Sequence, residues 1–222
     1  MVLSGELARR KLRATESAAA LLTLAFSMIA GLAAYPPVDS YADSNLVFHM
    51  NIQHIGLVLA GVLVAYSIER LLAVSSTSRP LVRTLLRSLN GLLQKYGTLL
   101  LLLAAAVFVF WHIPYYFDMA TENEAVHILE HALFVFTGTL IVGGSRYAGQ
   151  NKRIYLFVLA GAAMMIFGGY MIFDVNTIYV SYPASQQGAT GVGMLIAMGF
   201  MNIAVGAWWL NRFLVTMEKR GL

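Results

Sequence analysis

The chain has 222 residues, of which 59% are apolar and only 12% are charged, and its mean hydropathy is +0.69. These values lie outside the range of ordinary soluble domains and predict a membrane protein. The formal net charge is +4, and cysteine is absent, which excludes disulfides, thiolate metal sites and thiol redox chemistry.

Six apolar segments reach the length of about 20 residues that a membrane crossing needs. In chain order they are Ala18–Tyr35, Val47–Ser67, Gly97–Tyr116, Val126–Gly143, Ile154–Phe173 and Ala189–Leu210. Because lipid offers no partner to unpaired backbone groups, each segment must be helical. The connections are short, so we predict an all-α integral membrane protein, with residues 1–222 forming one domain, a bundle of six transmembrane helices.

The first segment also resembles a secretory signal. It follows a basic start and ends in "GLAAYPP", which offers small residues for cleavage. Its apolar run is long enough to span the membrane, so we expect the helix to be retained.

The charged residues predict the orientation of the bundle. All 15 Lys and Arg residues precede the first span, follow the sixth, or lie between spans two and three or four and five. By the positive-inside rule this side is cytoplasmic. The opposite side carries the acidic residues Asp39, Asp43, Asp118, Glu122, Glu124 and Asp174. We therefore predict both termini in the cytoplasm, a location in the cytoplasmic membrane, and no nucleic-acid binding despite the pI near 9.4.

All five histidines lie toward the predicted outer face. His49 and His54 open the second span, His112 is near the outer end of the third, and His127 and His131 open the fourth. Ionisable groups in membrane segments are costly, so such a cluster indicates function. The alternative for any single histidine is a hydrogen bond to water or to a neighbouring helix.

Helical spacing divides these candidates. On a regular helix His127, Glu130 and His131 share one arc, whereas His49 and His54, five residues apart, point about 140° away from each other. We therefore expect the imidazoles of four histidines to converge and His49 to lie apart. The converging set is His54, His112, His127 and His131.

Imidazole suits copper, zinc and haem iron, and thioether sulfur suits Cu(I). We predict a metal site of His54, His112, His127 and His131, with Met50 as a further candidate because it shares a face with His54. Pro114 is expected to kink or end the third helix near His112.

Two carboxylates and a methionine stripe have alternative interpretations. Glu130 could accept the second N–H of a ligating imidazole, or be an interfacial carboxyl. Asp118 could attract cations, although a simple loop charge is favoured. The sixth span carries Met194, Met198 and Met201 at helical spacing, which we interpret as packing, since methionine fills gaps well.

Two stretches, "FWHIPYYFD" and "HILEHALFVFTG", resemble the CtaG-type cytochrome c oxidase assembly factors. That family shows Trp-His-x-Pro with a following Asp, then His-x-x-x-His with Glu before the second His. The matching positions are Trp111, His112, Pro114, Asp118, His127, Glu130 and His131. The stretch "FHMNIQH" is similar to the family's His-Met-x-x-His, with one extra residue between its histidines, which argues against His49 as a ligand. The resemblance covers residues 46–143.

This resemblance implies copper handling during construction of the copper centre of a haem-copper oxidase, or a role as a histidine-bearing subunit of another membrane copper enzyme. We thus predict a copper-binding metallochaperone or accessory protein of the respiratory chain. Its partners would be the lipid bilayer and a membrane copper enzyme, and its metal site would face the extracytoplasmic side.

Two other classes of function remain open at this point. Paired histidines on neighbouring helices could hold haem b in an electron-transfer subunit. The chain could also be a cofactor-free structural subunit whose histidines bond across helices. No nucleophile–base pair, phosphate loop or carboxylate dyad points to an enzyme.

Overall fold

The computed structural model describes residues 2–33, 35–78, 80–173 and 178–219. Within these ranges every regular element is helical, which confirms the all-α prediction. The elements are α1 (Val2–Ala33), α2 (Pro36–Ser44), α3 (Leu46–Phe48), a π-helical turn (His49–Gln53), α4 (His54–Ser78), α5 (Pro80–Trp111), α6 (Pro114–Glu122), α7 (Glu124–Tyr147), α8 (Gln150–Phe173) and α9 (Ala184–Lys219). Asp174, one of the predicted outer acidic residues, lies outside the described residues.

Five helical stretches are long and apolar enough to cross a membrane. They are Leu46–Leu72, Leu93–Trp111, Glu124–Tyr147, Gln150–Phe173 and Ala184–Asn211, and they overlap the second to sixth predicted spans. A sixth crossing requires Ser17–Ala33 and Pro36–Ser44 together, and these two helices are bent by 55°. The prediction of spans is thus confirmed for five segments, with up to six in all.

Prolines account for two of the breaks between consecutive helices. α2 begins with proline at its first positions, where the missing N–H is tolerated, whereas proline could not continue α1. In the same way α5 ends at Trp111, and α6 begins at Pro114 after an extended Ile113 with φ −70° and ψ 124°. The expected break at Pro114 is confirmed, and it leaves His112 buried between two helices.

The helices pack in pairs that lead to one polar end of the bundle. α4 packs between α1 and α7, α7 also packs against α5, and α8 pairs with α9. The start of α9 returns to α3 and the π-helical turn, while α6 packs against α7. The π-helical turn, α6 and the first turns of α7 and α9 therefore gather at one end, where the histidines lie.

Glycines set the distance between α4 and α7. A Cβ atom on Gly61 would overlap the carbonyl of Val135, and one on Gly138 would overlap the carbonyl of Val58 and lie 2.9 Å from the Cα of Gly61. The two backbones are therefore in direct contact, which small residues allow. This contact holds the histidine-bearing ends of α4 and α7 close together.

α8 and α9 enclose an apolar cluster. Met164, Met171 and Met194 are buried in it, and Met198 packs against it. The interpretation of Met194 and Met198 as packing residues is confirmed. Met50 also lies in this cluster, so it is part of the apolar packing.

Candidate metal centre

The π-helical turn brings His49 and His54 together. The N–H of His54 donates to the carbonyl of His49, a bond that spans five residues instead of four. Such a turn places residues five apart on one side of the helix, and the two rings have centroids only 4.6 Å apart. π-Helical turns inside α-helices are frequent at functional sites.

The expectation that His49 lies apart from the other histidines is therefore wrong. It assumed 3.6 residues per turn throughout, and the local helix is wider. The extra residue in "FHMNIQH" is the one that the wider turn accommodates. A five-residue spacing between two histidines at a helix start was the available signal.

Asn123 fixes the start of α7 and so the position of its histidines. Its side-chain oxygen accepts hydrogen bonds from the N–H groups of Ala125 at 3.0 Å and Val126 at 3.2 Å, as a helix cap does. In the following turns the rings of His127 and His131 lie 4.2 Å apart. Both approach His49, with centroid distances of 5.6 Å from His127 and 6.3 Å from His131.

Seven side chains form three overlapping groups. Within each group the possible ligand atoms lie within 4.8 Å of one another. The outer group is Asp39, Asp43 and His127, the middle group is His49, His127 and His131, and the inner group is His49, His54 and Glu130. Within the inner group, His54 Nε2 lies 3.4 Å from Glu130 Oε1. The inner group is also the most buried, since all three side chains are inaccessible to solvent.

Many polar atoms of this cluster have no hydrogen-bond partner among the described residues. They are His49 Nε2, both nitrogens of His54, both oxygens of Glu130, His127 Nδ1 and His131 Nε2. Buried polar groups are normally paired, and an unpaired one costs free energy. A bound metal ion would give several of these lone pairs a partner at once.

Tyr182 orients His49. Its hydroxyl lies 2.8 Å from His49 Nδ1 and 3.3 Å from the carbonyl oxygen of Ala42. Because a carbonyl can only accept, the hydroxyl donates to Ala42 and accepts from His49 Nδ1–H, which leaves the lone pair of His49 on Nε2. Burial raises the pKa of the Tyr182 hydroxyl well above its usual value, with Asp43 and Glu130 acting in the same direction.

Asp39 closes the outer side of the cluster. Its Oδ1 accepts hydrogen bonds from Gln53 Nε2 at 2.8 Å and from His127 Nε2 at 3.1 Å. Gln53 also donates to the carbonyl of Ala33 at 3.0 Å, so it joins α1, α2 and the π-helical turn. Sequence reasoning treated Asp39 and Asp43 only as outer charges. The pair Pro36-Pro37 was the unused signal. It starts the short helix α2, on which both aspartates return to the histidines.

His112 lies at the margin of the cluster. Its Nδ1–H donates to the carbonyl of Phe108 at 2.7 Å, its ring stacks on that of Phe108, and its centroid is 6.0 Å from that of His54. It belongs to none of the three ligand groups found among the described residues. The expected convergence therefore includes His54, His127 and His131 but replaces His112 with His49.

Asp118 holds a loop rather than facing the cluster. Its carboxylate accepts from the N–H groups of Val180 at 3.3 Å and Ser181 at 3.1 Å. That loop carries Tyr182, the partner of His49. The interpretation of Asp118 as a loop charge agrees with these contacts.

Aromatic rings seal the inner side. Phe134 stacks on His54 with centroids 4.1 Å apart, and Phe117 lies 5.2 Å from His49 and 6.0 Å from His54. Phe117 and Phe134 are fully buried. An ion bound by the inner group would thus be shielded from water. In such a low-dielectric environment its electrostatic attraction to the ligands is strong.

Comparison with known proteins identifies the family. The family model described as cytochrome c oxidase caa3 assembly factor matches residues 4–215, which is nearly the whole chain. No curated protein and no solved structure shows a significant match. The stretches that carry the five histidines all fall within the matched range. The chain therefore belongs to the cytochrome c oxidase caa3 assembly factor family.

Proposed function

We propose that the protein binds a copper ion in the cluster around His49 and supplies or retains it during assembly of a membrane oxidase. The observation that carries this proposal is the set of buried, unpartnered lone pairs on His49, His54 and Glu130. Imidazole and carboxylate donors suit copper and zinc, and divalent copper binds a given site of this kind more tightly than zinc. Membership of the family supports the oxidase as client.

The shape of the cluster favours a single ion over haem b. Phe134 stacks directly on His54, and Phe117 packs against both His49 and His54. A haem group needs a flat cleft between its axial ligands, and these rings lie against the histidines that would be those ligands. The unpartnered atoms in turn argue against a purely structural role, because histidines that only join helices would be hydrogen-bonded to each other or to the backbone.

The proposed site of action is the cytoplasmic membrane. The cluster lies at one end of the bundle, where the sequence places the acidic residues and no basic ones, so it would open to the extracytoplasmic side. From there the protein would contact the lipid bilayer along its spans and a haem-copper oxidase, or another membrane copper complex, at its outer end.

Complementation tests this function directly. In a strain that lacks the protein, we expect the wild-type chain to restore the copper content and activity of the oxidase. His54→Ala, present in the membrane in equal amount, should fail. His112→Ala is the matched control, because it removes a buried histidine at the same end but outside the three ligand groups, and it should complement.

The purified chain gives the second readout. After loading with CuSO4 and removal of free metal, we expect about one copper per wild-type chain, since the inner and middle groups share His49 and a neutral imidazole offers one lone pair. Full complementation by His54→Ala, or wild-type protein that retains no copper, would contradict the proposal.

A further inference from the structure

The three ligand groups are graded by exposure from the surface inward. In the outer group the side chains of Asp39 and Asp43 are 28% and 45% exposed. The side chains of His127 and His131 are 9% and 13% exposed, and the inner group of His49, His54 and Glu130 is fully buried. The groups therefore form a path from solvent to the sealed interior.

We propose that Asp39, Asp43 and His127 form an outer docking subsite for copper, from which the ion moves through the middle group to the inner group. This inference rests on the proposed function, because it takes copper as the ion. It adds a route and a separate binding position, and it assigns Asp39 and Asp43 to loading rather than to retention.

Shared histidines make the route continuous. His127 belongs to both the outer and the middle group, and His49 belongs to both the middle and the inner group. At each step the shared imidazole borders both the group that the ion leaves and the group that it enters. This shortens the passage through the apolar interior, where an uncompensated charge is very costly.

The same sharing argues against two ions in neighbouring groups at the same time. A neutral imidazole offers one lone pair, and His49 Nδ1 is already engaged by Tyr182. His49 can thus serve the middle or the inner group, but only one at a time. Neighbouring groups are filled alternately, as positions of one moving ion.

His127 lies between the outer group and Glu130 of the inner group. Its Nε2 lies 3.1 Å from Asp39 and 3.9 Å from Asp43, whereas its Nδ1 lies 3.9 Å from Glu130 and has no hydrogen-bond partner in the described part of the chain. The two nitrogens of one ring therefore face the acidic outer group and the buried interior, respectively.

Gln53 fixes the outer subsite to the inner one. It lies in the π-helical turn between His49 and His54, and its amide donates to Asp39 at 2.8 Å. The residue that sets the position of Asp39 is thus part of the turn that pairs His49 with His54. This rigid link keeps the docking subsite aligned with the path.

The test is kinetic and uses the full chain with CuSO4 as the source of copper. Rapid mixing followed by chelator quench gives the loading rate, transfer to excess chelator gives the release rate, and overnight equilibration gives occupancy. The variant is Asp39→Asn combined with Asp43→Asn. The control is Glu122→Gln combined with Glu124→Gln, which removes the same charge from exposed side chains at the same end.

We expect the Asp39→Asn, Asp43→Asn variant to load and release copper about tenfold or more slowly, within the range by which charged clefts raise association rates. Its equilibrium occupancy should match wild type, because an access position affects both rates alike. The control should keep wild-type rates.

Three results would overturn the route: wild-type rates in the Asp39→Asn, Asp43→Asn variant, equal slowing in the control, or a loss of equilibrium occupancy. The first two leave copper binding itself intact, and the third would make the aspartates ligands of the resting site. Absence of copper from the wild-type chain would instead overturn the proposed function and the route together.

Discussion

In both the α4–α7 pair and the α8–α9 pair, glycines allow the two helices to touch. The side chains packed between the helices differ. Gly61 and Gly138 bring the first pair into backbone contact, and Gly168 and Gly191 do so in the second, where a Cβ on Gly191 would overlap the Gly168 carbonyl. The α8–α9 pair packs methionines into its interior. The half of the α4–α7 pair next to the π-helical turn holds histidines and a buried glutamate instead. Close helix packing therefore does not require ionisable groups, so their presence in one pair needs another explanation, which the proposed copper binding supplies.

The difference has an energetic consequence. Methionine side chains leave no strongly polar atom without a partner when they are buried, and their packing stabilises the pair without a ligand. Buried histidine and glutamate atoms without partners destabilise their pair until something binds them. A ligand that binds only the folded chain adds stability by mass action, so copper should stabilise the α4–α7 end most.

His49→Ala should give the largest effect. It removes the residue common to the middle and inner groups, so we expect copper affinity to fall by more than the about 100-fold that changes in ligand-orienting groups reach. Met194→Ala is the counterpart in the other pair. It should lower the free energy of unfolding by about 2–5 kcal/mol through the cavity it leaves, with copper affinity unchanged. Competition against a chromophoric copper chelator and denaturant unfolding measure the two quantities.

Glu130→Gln should come next. The amide keeps the size of the side chain but loses the negative charge and one acceptor, so we expect copper affinity to fall about 10–100-fold. Glu124→Gln makes the same change at an exposed position of the same helix and should leave affinity unaltered. Isothermal titration of both variants would show this, and equal affinities for the two would remove Glu130 from the site.

Gly138→Ala separates packing from binding. The added methyl overlaps the backbone of α4, and overpacking of this kind costs about 1–3 kcal/mol. Gly191→Ala should cost a similar amount in α8–α9. Only Gly138→Ala moves His54 away from Glu130, so only this variant should also bind copper more weakly. If both variants lost copper binding alike, global stability rather than the α4–α7 contact would govern the site.

Tyr182→Phe should have the smallest effect. It removes the hydroxyl that accepts from His49 Nδ1–H, and with it the interaction that points Nε2 into the cluster. We expect a loss of copper affinity of about tenfold, the low end for a ligand-orienting group. Tyr41→Phe, at an exposed tyrosine of α2, is the control. An unchanged affinity in Tyr182→Phe would show that His49 is positioned by packing alone.

Much of this architecture is visible in the sequence. The length and apolar character of five stretches predict membrane-spanning helices. The chemistry of proline predicts the break at Pro114. The arc of His127, Glu130 and His131 follows from regular helical spacing. The place of His49 does not, because regular helical spacing turns it about 140° away from His54, and only the wider turn brings the two rings together. The approach of Asp39 depends on how α2 folds back and on the bond from Gln53, which are tertiary facts. Which side of the membrane the cluster faces stays a prediction from the basic residues.

X-ray absorption at the copper edge, on the full wild-type chain loaded with one equivalent of copper, tests the central claim most directly. The account predicts nitrogen and oxygen ligands only, at about 2.0 Å as for zinc–imidazole bonds, with the outer-shell scattering of at least two imidazoles. We expect this scattering to be weaker in His49→Ala, which removes one of these imidazoles. A sulfur shell, which would bring in Met50 or another methionine, or a spectrum without imidazole scattering, would contradict it.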